Sequence, residues 1–162
     1  MVDVSAKQPT KRTALAQCKV MLTSTDAFNQ LRERRLAKGD AIKIAEIAGL
    51  MASKRTSDLI PLCHQIALDY SKLEVQLCEQ SKSVRVLCQT QVTDKTGCEM
   101  EALVGATTAA LTIYDMCKGL DKEIVLTEAR LLRKTGGKSG DYEHSSSDDT
   151  SDSDHFSSTK IN

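Results

Sequence analysis

Residues 99–119 leave the backbone little choice. The stretch Glu-Met-Glu-Ala-Leu-Val-Gly-Ala-Thr-Thr-Ala-Ala-Leu-Thr-Ile-Tyr-Asp-Met-Cys-Lys-Gly has no proline, is rich in Ala, Leu and Met, opens with acidic residues and closes on Gly119. That pattern predicts one long helix. Leu103, Ala106, Ala110, Ile113 and Cys117 recur at helical spacing and form an apolar face. Glu101, Gly105, Thr108, Thr112 and Asp115 follow the same spacing on a second face, which is small and polar with a carboxylate at each end. Exposed helix backs usually carry Lys, Glu and Arg. A Gly and Thr stripe instead suggests close approach by a partner helix or a ligand. The plainer alternative is a solvated helix back with an Asp115–Lys118 ion pair.

A chain of 162 residues with 40% apolar and 27% charged residues can bury one real core around such a helix. Aromatic residues are only 3%, without Trp, which argues against a surface that stacks bases. The net charge is zero but unevenly spread. Residues 142–162 hold five acidic residues against one Lys, leaving 21 basic against 17 acidic residues in 1–141. A mildly basic body suits a phosphate-bearing small molecule and is too weak to argue for a nucleic-acid backbone. Cys18, Cys63, Cys78, Cys88, Cys98 and Cys117 form no Cys-x-x-Cys pair, and the three His are too scattered for a zinc site. They read as reduced thiols of an intracellular protein, in cytoplasm or mitochondrial matrix, with no membrane span and no targeting segment.

In chain order, Met1–Lys11 reads as extended and polar, and Thr13–Leu22 as a strand. Thr25–Arg35 reads as a charged helix capped by Thr25 or Asp26. Asp40 caps a further helix, Ala41–Ser53, with an expected seam of Ala41, Ile44, Ala45, Ala48 and Ala52. Lys54 and Arg55 complement that helix's C-terminal dipole. Pro61 makes Leu59–His64 a tight bend. Ile66–Leu77 and Ser83–Val92 read as strands joined by a turn at 78–82, and Lys122–Leu132 as a last strand. The order predicts an α+β fold, an antiparallel sheet with helices on one face, of the split βαβ kind. Gly137-Lys138-Ser139 imitates the end of a P-loop, but Leu132 stands where the motif needs its first glycine and no apolar helix follows. Residues 142–162 are Ser, Asp and Thr-rich and are expected to be a disordered acidic tail, with Ser145, Ser146 and Ser151 placed for acidic-directed kinases.

Eight segments together resemble one family. They are Met1–Lys7, Lys38-Gly-Asp40, Lys54-Arg-Thr56, Asp58-Leu-Ile-Pro-Leu-Cys-His64, Lys95-Thr-Gly97, Glu99-Met-Glu-Ala-Leu103, Ala109–Lys118 and Gly136-Gly-Lys-Ser-Gly-Asp141. In this order they resemble the cyclic pyranopterin monophosphate synthases, the molybdenum cofactor biosynthesis protein C or MoaC family. The resemblance spans Met1–Asp141 and leaves out the tail. It implies a ferredoxin-like catalytic domain over 1–141, assembled as a homohexamer, a trimer of dimers with active sites at the dimer interface. It implies a lyase that converts (8S)-3′,8-cyclo-7,8-dihydroguanosine 5′-triphosphate to cyclic pyranopterin monophosphate and diphosphate. By the same resemblance Asp115, Lys118 and Lys38 are catalytic, while Leu62, Cys63, His64, Glu99, Met100, Glu101, Lys54 and Lys134 bind substrate. Gln65 departs from the family's Pro after the His.

The residue types suit such a reaction. Lysines grip a triphosphate, proton transfers need acids and bases, and attack of a ribose hydroxyl on the α-phosphorus needs a neutralised leaving group. Lys38 and Lys118 are expected to transfer protons, with Asp115 setting their protonation. No protein ligand set for a metal is evident, although a divalent cation could accompany the triphosphate. Glu101 and Asp115 lie about 21 Å apart along one helix axis, so a compact site touching both requires a second subunit, with pockets shared across a two-fold axis. Two other classes compete with this reading: a non-catalytic scaffold subunit, and a ferredoxin-like nucleic-acid-binding module. The second is disfavoured because Tyr70 is the only aromatic on the middle strands.

Overall fold

The computed structural model describes residues 1–145 and the backbone of residues 157–158. In chain order the elements are β1 (Thr10–Met21), α1 (Thr25–Arg32), α2 (Ala41–Ser53), α3 (Thr56–Leu59), β2 (Tyr70–Cys78), β3 (Ser83–Asp94), α4 (Glu99–Cys117), β4 (Val125–Thr135), β5 (Tyr142–Glu143) and β6 (Ser157–Ser158). The strands form one sheet in the order β5-β4-β1-β3-β2-β6, antiparallel at every pairing. Within it, β4-β1-β3-β2 is the order of the expected ferredoxin-like α+β arrangement. Helices α2 and α4 lie together on one face.

Period-two alternation builds that face. Ala14, Ala16, Cys18 and Val20 of β1, Val84, Val86 and Cys88 of β3, and Leu73, Val75 and Leu77 of β2 are all buried against the helices. From α4, Ala106, Ala110, Ile113 and Cys117 join them as the helical spacing predicts, while Leu103 packs beside a second cluster around Ala14, Ala16 and Ala102. Burial pushes the thiols of Cys88 and Cys117 up to about 12 and about 11, so both are inert packing groups.

Several expected boundaries move, each for a local reason. The cap of α1 is Ser24, whose hydroxyl accepts from the Ala27 amide, rather than Thr25 or Asp26. The helix stops at Arg32, and Arg34 beyond it takes a left-handed φ of 57°. The seam of α2 is Ala41, Ile42, Ala45, Gly49 and Ser53, one position round from the one expected. Ile44, Ile47 and Met51 stand exposed instead. Ile66 and Leu68 alternate as a strand would because both pack on the second cluster, but the ladder begins only at Tyr70. The last strand starts at Val125 and runs to Thr135, with a bulge near Glu128, which has φ 52°. Tyr142 and Glu143, expected to open the tail, pair with Lys134 and Arg133. The disorder expected for the rest of the tail falls on residues 146–156 and 159–162, outside the described residues.

Gly105, in the small stripe of α4, meets α2 of the same chain. A Cβ at Gly105 would lie 2.6 Å from Cys88 Sγ and 3.3 Å from the Gly49 carbonyl, and one at Gly49 would lie 2.7 Å from the Gly105 carbonyl. The paired glycines let α2 and α4 touch backbone to backbone. Gly105→Ala gains helix propensity but must push the layers apart, so urea denaturation should show a net loss of about 1–3 kcal/mol. Unchanged stability would mean that the helices separate at little cost.

Candidate active site

Two clusters of functional side chains sit at opposite ends of α4. At its C-terminal end, Asp115 is held between two cations. Lys38 Nζ donates to Asp115 Oδ2 at 2.6 Å and to the Asp115 carbonyl at 3.1 Å, and Lys118 Nζ lies 2.6 Å from Asp115 Oδ1. Lys38 arrives there because Gly39, in a left-handed turn, and the Asp40 cap reverse the chain ahead of α2. Both lysines also answer the negative end of the α4 dipole. The hydrogen bonds from Lys118 and then Lys38 hold the Asp115 carboxyl down to about 2, and Asp115 in turn raises Lys118. Lys118 is therefore a stable cation, suited to phosphate or to donating a proton, and not a base while Asp115 is beside it. The three side chains are half exposed and line a cavity of about 520 Å³ with Gln30, Tyr114 and Lys122.

At the N-terminal end, Leu62, Cys63, His64, Glu99, Met100 and Glu101 line a second cavity of about 340 Å³. Pro61 makes Ile60–Cys63 a turn closed by the Cys63 amide on the Ile60 carbonyl, which presents Cys63 and His64 to the cavity. The His64 Nε2 is 2.8 Å from the Val2 carbonyl, so it is the protonated nitrogen of that contact. His64 thus anchors the N-terminal segment while lining the cavity. Glu101 is only 4% exposed. Burial, partly opposed by a backbone hydrogen bond and reinforced by the Glu99 charge, pushes its carboxyl up to about 7. Burial and Glu101 raise the Cys63 thiol, which makes it a poor nucleophile.

Lys134 reaches this end from β4, with Nζ 3.2 Å from both Glu99 Oε1 and Ser139 Oγ. The Gly136–Asp141 loop behind it is a turn closed by Asp141 on the Gly136 amide, and not a P-loop. Lys54, the C-cap of α2, is exposed and lines neither cavity, although the end of α2 that carries it lies beside the start of α4. Sequence reasoning missed the individual roles of Val2, Val4 and Lys7 on the wall of the second cavity and of Lys122 on the first. The motif Met1–Lys7 was the available signal for the former. Among the described residues no three His, Cys, Asp or Glu converge as a metal site would require. No described helix is long and apolar enough to cross a membrane.

The two cavities share no lining residue, and α4 runs unbroken between them. One small substrate therefore cannot reach both clusters of one chain.

Known proteins carry the same sequence pattern. Cyclic pyranopterin monophosphate synthase of Heliobacterium modesticaldum is 50% identical over 142 residues, covering 88% of this chain and 89% of that one. The enzyme of that name from Pelobacter propionicus is 49% identical, covering 88% of each. The mitochondrial cyclic pyranopterin monophosphate synthase of Arabidopsis thaliana is 48% identical over 88% of this chain and 52% of its own. The sequence profile of the MoaC family matches residues 1–137. A profile match over most of the chain, with identities near one half to curated members, shows that the protein belongs to the MoaC family.

Proposed function

We propose that this chain is a cyclic pyranopterin monophosphate synthase, a lyase of molybdenum cofactor biosynthesis. It takes the cyclised GTP derivative (8S)-3′,8-cyclo-7,8-dihydroguanosine 5′-triphosphate to cyclic pyranopterin monophosphate and diphosphate. The catalytic unit is residues 1–141. The observation that carries this reading is the division of the functional groups between the two ends of α4, in a chain half identical to enzymes of that name. Each end supplies half of what the reaction requires.

The Lys38–Asp115–Lys118 end is the polyphosphate half. Two ammonium groups fixed by one carboxylate neutralise the leaving diphosphate, and either can deliver a proton as the α-phosphorus bond breaks. The Glu101 end is the pterin half. A buried carboxyl that titrates near neutrality can give and take protons during the ring rearrangement, with His64, Met100 and Leu62 shaping the wall and Glu99 and Lys134 its charged rim. Cys63 contributes shape. Lys54 approaches from the end of α2.

The halves join when a second copy docks antiparallel on the outer surface of α2 and α4. Ile44, Ile47 and Met51 of α2 and Leu111 of α4 are exposed there, an apolar patch that suits burial between copies. A two-fold axis then brings Asp115 of each chain to Glu101 of its partner, giving two pockets per dimer, and three dimers make the homohexamer. Six free cysteines fit a reducing compartment, cytoplasm or mitochondrial matrix.

The test is diphosphate release from the cyclised GTP substrate. Wild-type protein should release diphosphate and form the pterin product. Lys38→Ala should lower the rate about tenfold to a hundredfold. A wild-type chain that binds the substrate without turnover would favour the scaffold reading and overturn this one.

A further inference from the structure

The turn that follows α4 carries a cation that the reaction has not yet used. The Leu120 and Asp121 amides both donate to the Cys117 carbonyl, which ends the helix, and the chain then gathers around the Asp121 carboxylate. Asp121 Oδ2 accepts from the Thr23 and Ser24 amides at 2.7 and 2.9 Å. Its Oδ1 accepts from the Thr23 hydroxyl at 2.9 Å and from the Glu123 amide at 3.0 Å. Asp121 is only 4% exposed. These bonds tie the turn to the start of α1 and close the main chain around Lys122 as an Asx turn. Lys122 therefore has a fixed base, while the residue itself is exposed and lines the cavity of Lys38, Asp115 and Lys118.

The lysines of this cavity differ in their partners. Lys38 and Lys118 are both bonded to Asp115, whose carboxylate cancels one of their two charges. Lys122 has no ion pair and no side-chain hydrogen bond among the described residues. Asp115 is also the only carboxylate on the cavity wall among the described residues, so nothing there competes with an anion for Lys122. Leu36, Ala37, Met116 and Leu120 supply apolar wall, which strengthens a charge contact made beside it. A departing diphosphate carries more negative charge than the net charge of the triad, and its far phosphate needs a cation of its own.

We propose that Lys122 is a further substrate-binding residue, the cation that holds the terminal phosphate of the triphosphate and stays with the diphosphate as it leaves. The assignment rests on the reading of the Lys38–Asp115–Lys118 end as the polyphosphate half. It divides the work among the cations. Lys38 and Lys118, fixed on Asp115, serve the bond that breaks. Lys122, four residues beyond Lys118 on a pinned turn, reaches the far phosphate with an uncommitted side chain. A lysine bonded to Asp115 must give up that bond to follow the anion, whereas Lys122 gives up only water. Lysine acts here as a point charge, so arginine at 122 should keep most of the grip and glutamine should not.

Calorimetric titration of the full-length protein with inorganic diphosphate at low ionic strength tests the assignment. Wild type is compared with Lys122→Gln, Lys122→Arg and Lys72→Gln. Lys72 sits on β2 beside Glu74 and lines neither cavity, so Lys72→Gln removes the same charge elsewhere. Lys122→Gln should weaken diphosphate binding about tenfold, and the other two variants less than about threefold. In turnover of the cyclised GTP derivative, Lys122→Gln should raise KM by about the same factor with kcat within about twofold, and Lys122→Arg should restore KM. Equal weakening by Lys122→Gln and Lys72→Gln would reveal a general charge effect and overturn the assignment. So would unchanged affinity in Lys122→Gln, a loss confined to kcat, or no diphosphate binding by wild type. The binding arm needs no catalysis. A chain that grips diphosphate through Lys122 but never turns over would keep Lys122 and remove the enzyme reading, and turnover with unchanged affinity in Lys122→Gln would do the reverse.

Discussion

Chains carrying Asp115→Asn and chains carrying Glu101→Gln are each expected to lose about 10²–10⁴-fold in diphosphate release, and an equal mixture of the two to regain about one quarter of wild-type activity. The single losses follow from chemistry. The uncharged amide of Asp115→Asn would no longer draw Lys38 and Lys118 together, and the amide of Glu101→Gln would carry no transferable proton at the pterin end. The recovery follows from geometry. If each pocket takes Asp115 from one chain and Glu101 from its partner, a mixed dimer has one doubly substituted pocket and one intact pocket. Random reassociation makes about half of the dimers mixed, so about one pocket in four is intact. The mixture must be dissociated and reassociated before assay, and each variant treated alone supplies the baseline. Activity no higher than that baseline would show that the two carboxylates do not serve one shared pocket. The exposed stripe of Ile44, Ile47, Met51 and Leu111 gives a second handle, because charged substitutions there should abolish the recovery without touching either half-site.

Much of this was legible in the letters, for identifiable reasons. The long helix and the Asp40 cap are local signals, and both stand where they were expected. The 21 Å between Glu101 and Asp115 needed only helix rise, and the two carboxylates do line two different cavities. What failed depended on tertiary context. The seam of α2 came out one position round because Gly49, with no apolar side chain to count, is the residue at the contact with α4. Ile44, the more hydrophobic choice, points outward instead. The glycine stripe of α4 was rightly expected to meet a close neighbour, but pattern alone did not say that α2 of the same chain supplies it at Gly105. The raised Glu101 carboxyl was not readable either. A Glu in the first turn of a helix predicts stabilisation by the dipole, but tertiary packing buries Glu101 and burial outweighs it. Residues 142–143 look like tail by composition, yet an open edge of β4 recruits their backbone whatever their side chains.

Glu101 also gives the protein a pH-dependent stability of unusual sign. Burial raises its carboxyl to about 7, against about 4.3 in an unfolded chain. Between those values the folded chain keeps a proton that the unfolded chain has released, so stability falls as pH rises. The contribution is fully present below about pH 4.3 and is lost as pH climbs through 7, a swing of about 4 kcal/mol, most of it between pH 5 and 8. Asp115 and Asp121 act in the opposite sense and in another window. Their carboxyls are held down, Asp115 by its lysines and Asp121, against the opposing effect of burial, by bonds from Ser24, Glu123 and Thr23, so their contribution is lost only as pH falls below the ordinary carboxylate range. Urea denaturation of wild type and Glu101→Gln at a series of pH values separates the two effects. The variant, which carries no titrating group at 101, should gain on wild type by about 3 kcal/mol between pH 5 and 8, while the acid limbs of the two curves stay parallel. Curves parallel throughout would place the Glu101 carboxyl at an ordinary value and remove it as the proton carrier of the pterin half. A divergence of the expected size would locate, in the free enzyme, a carboxyl poised to exchange its proton at neutral pH, at the end of α4 where the ring rearrangement is proposed to occur.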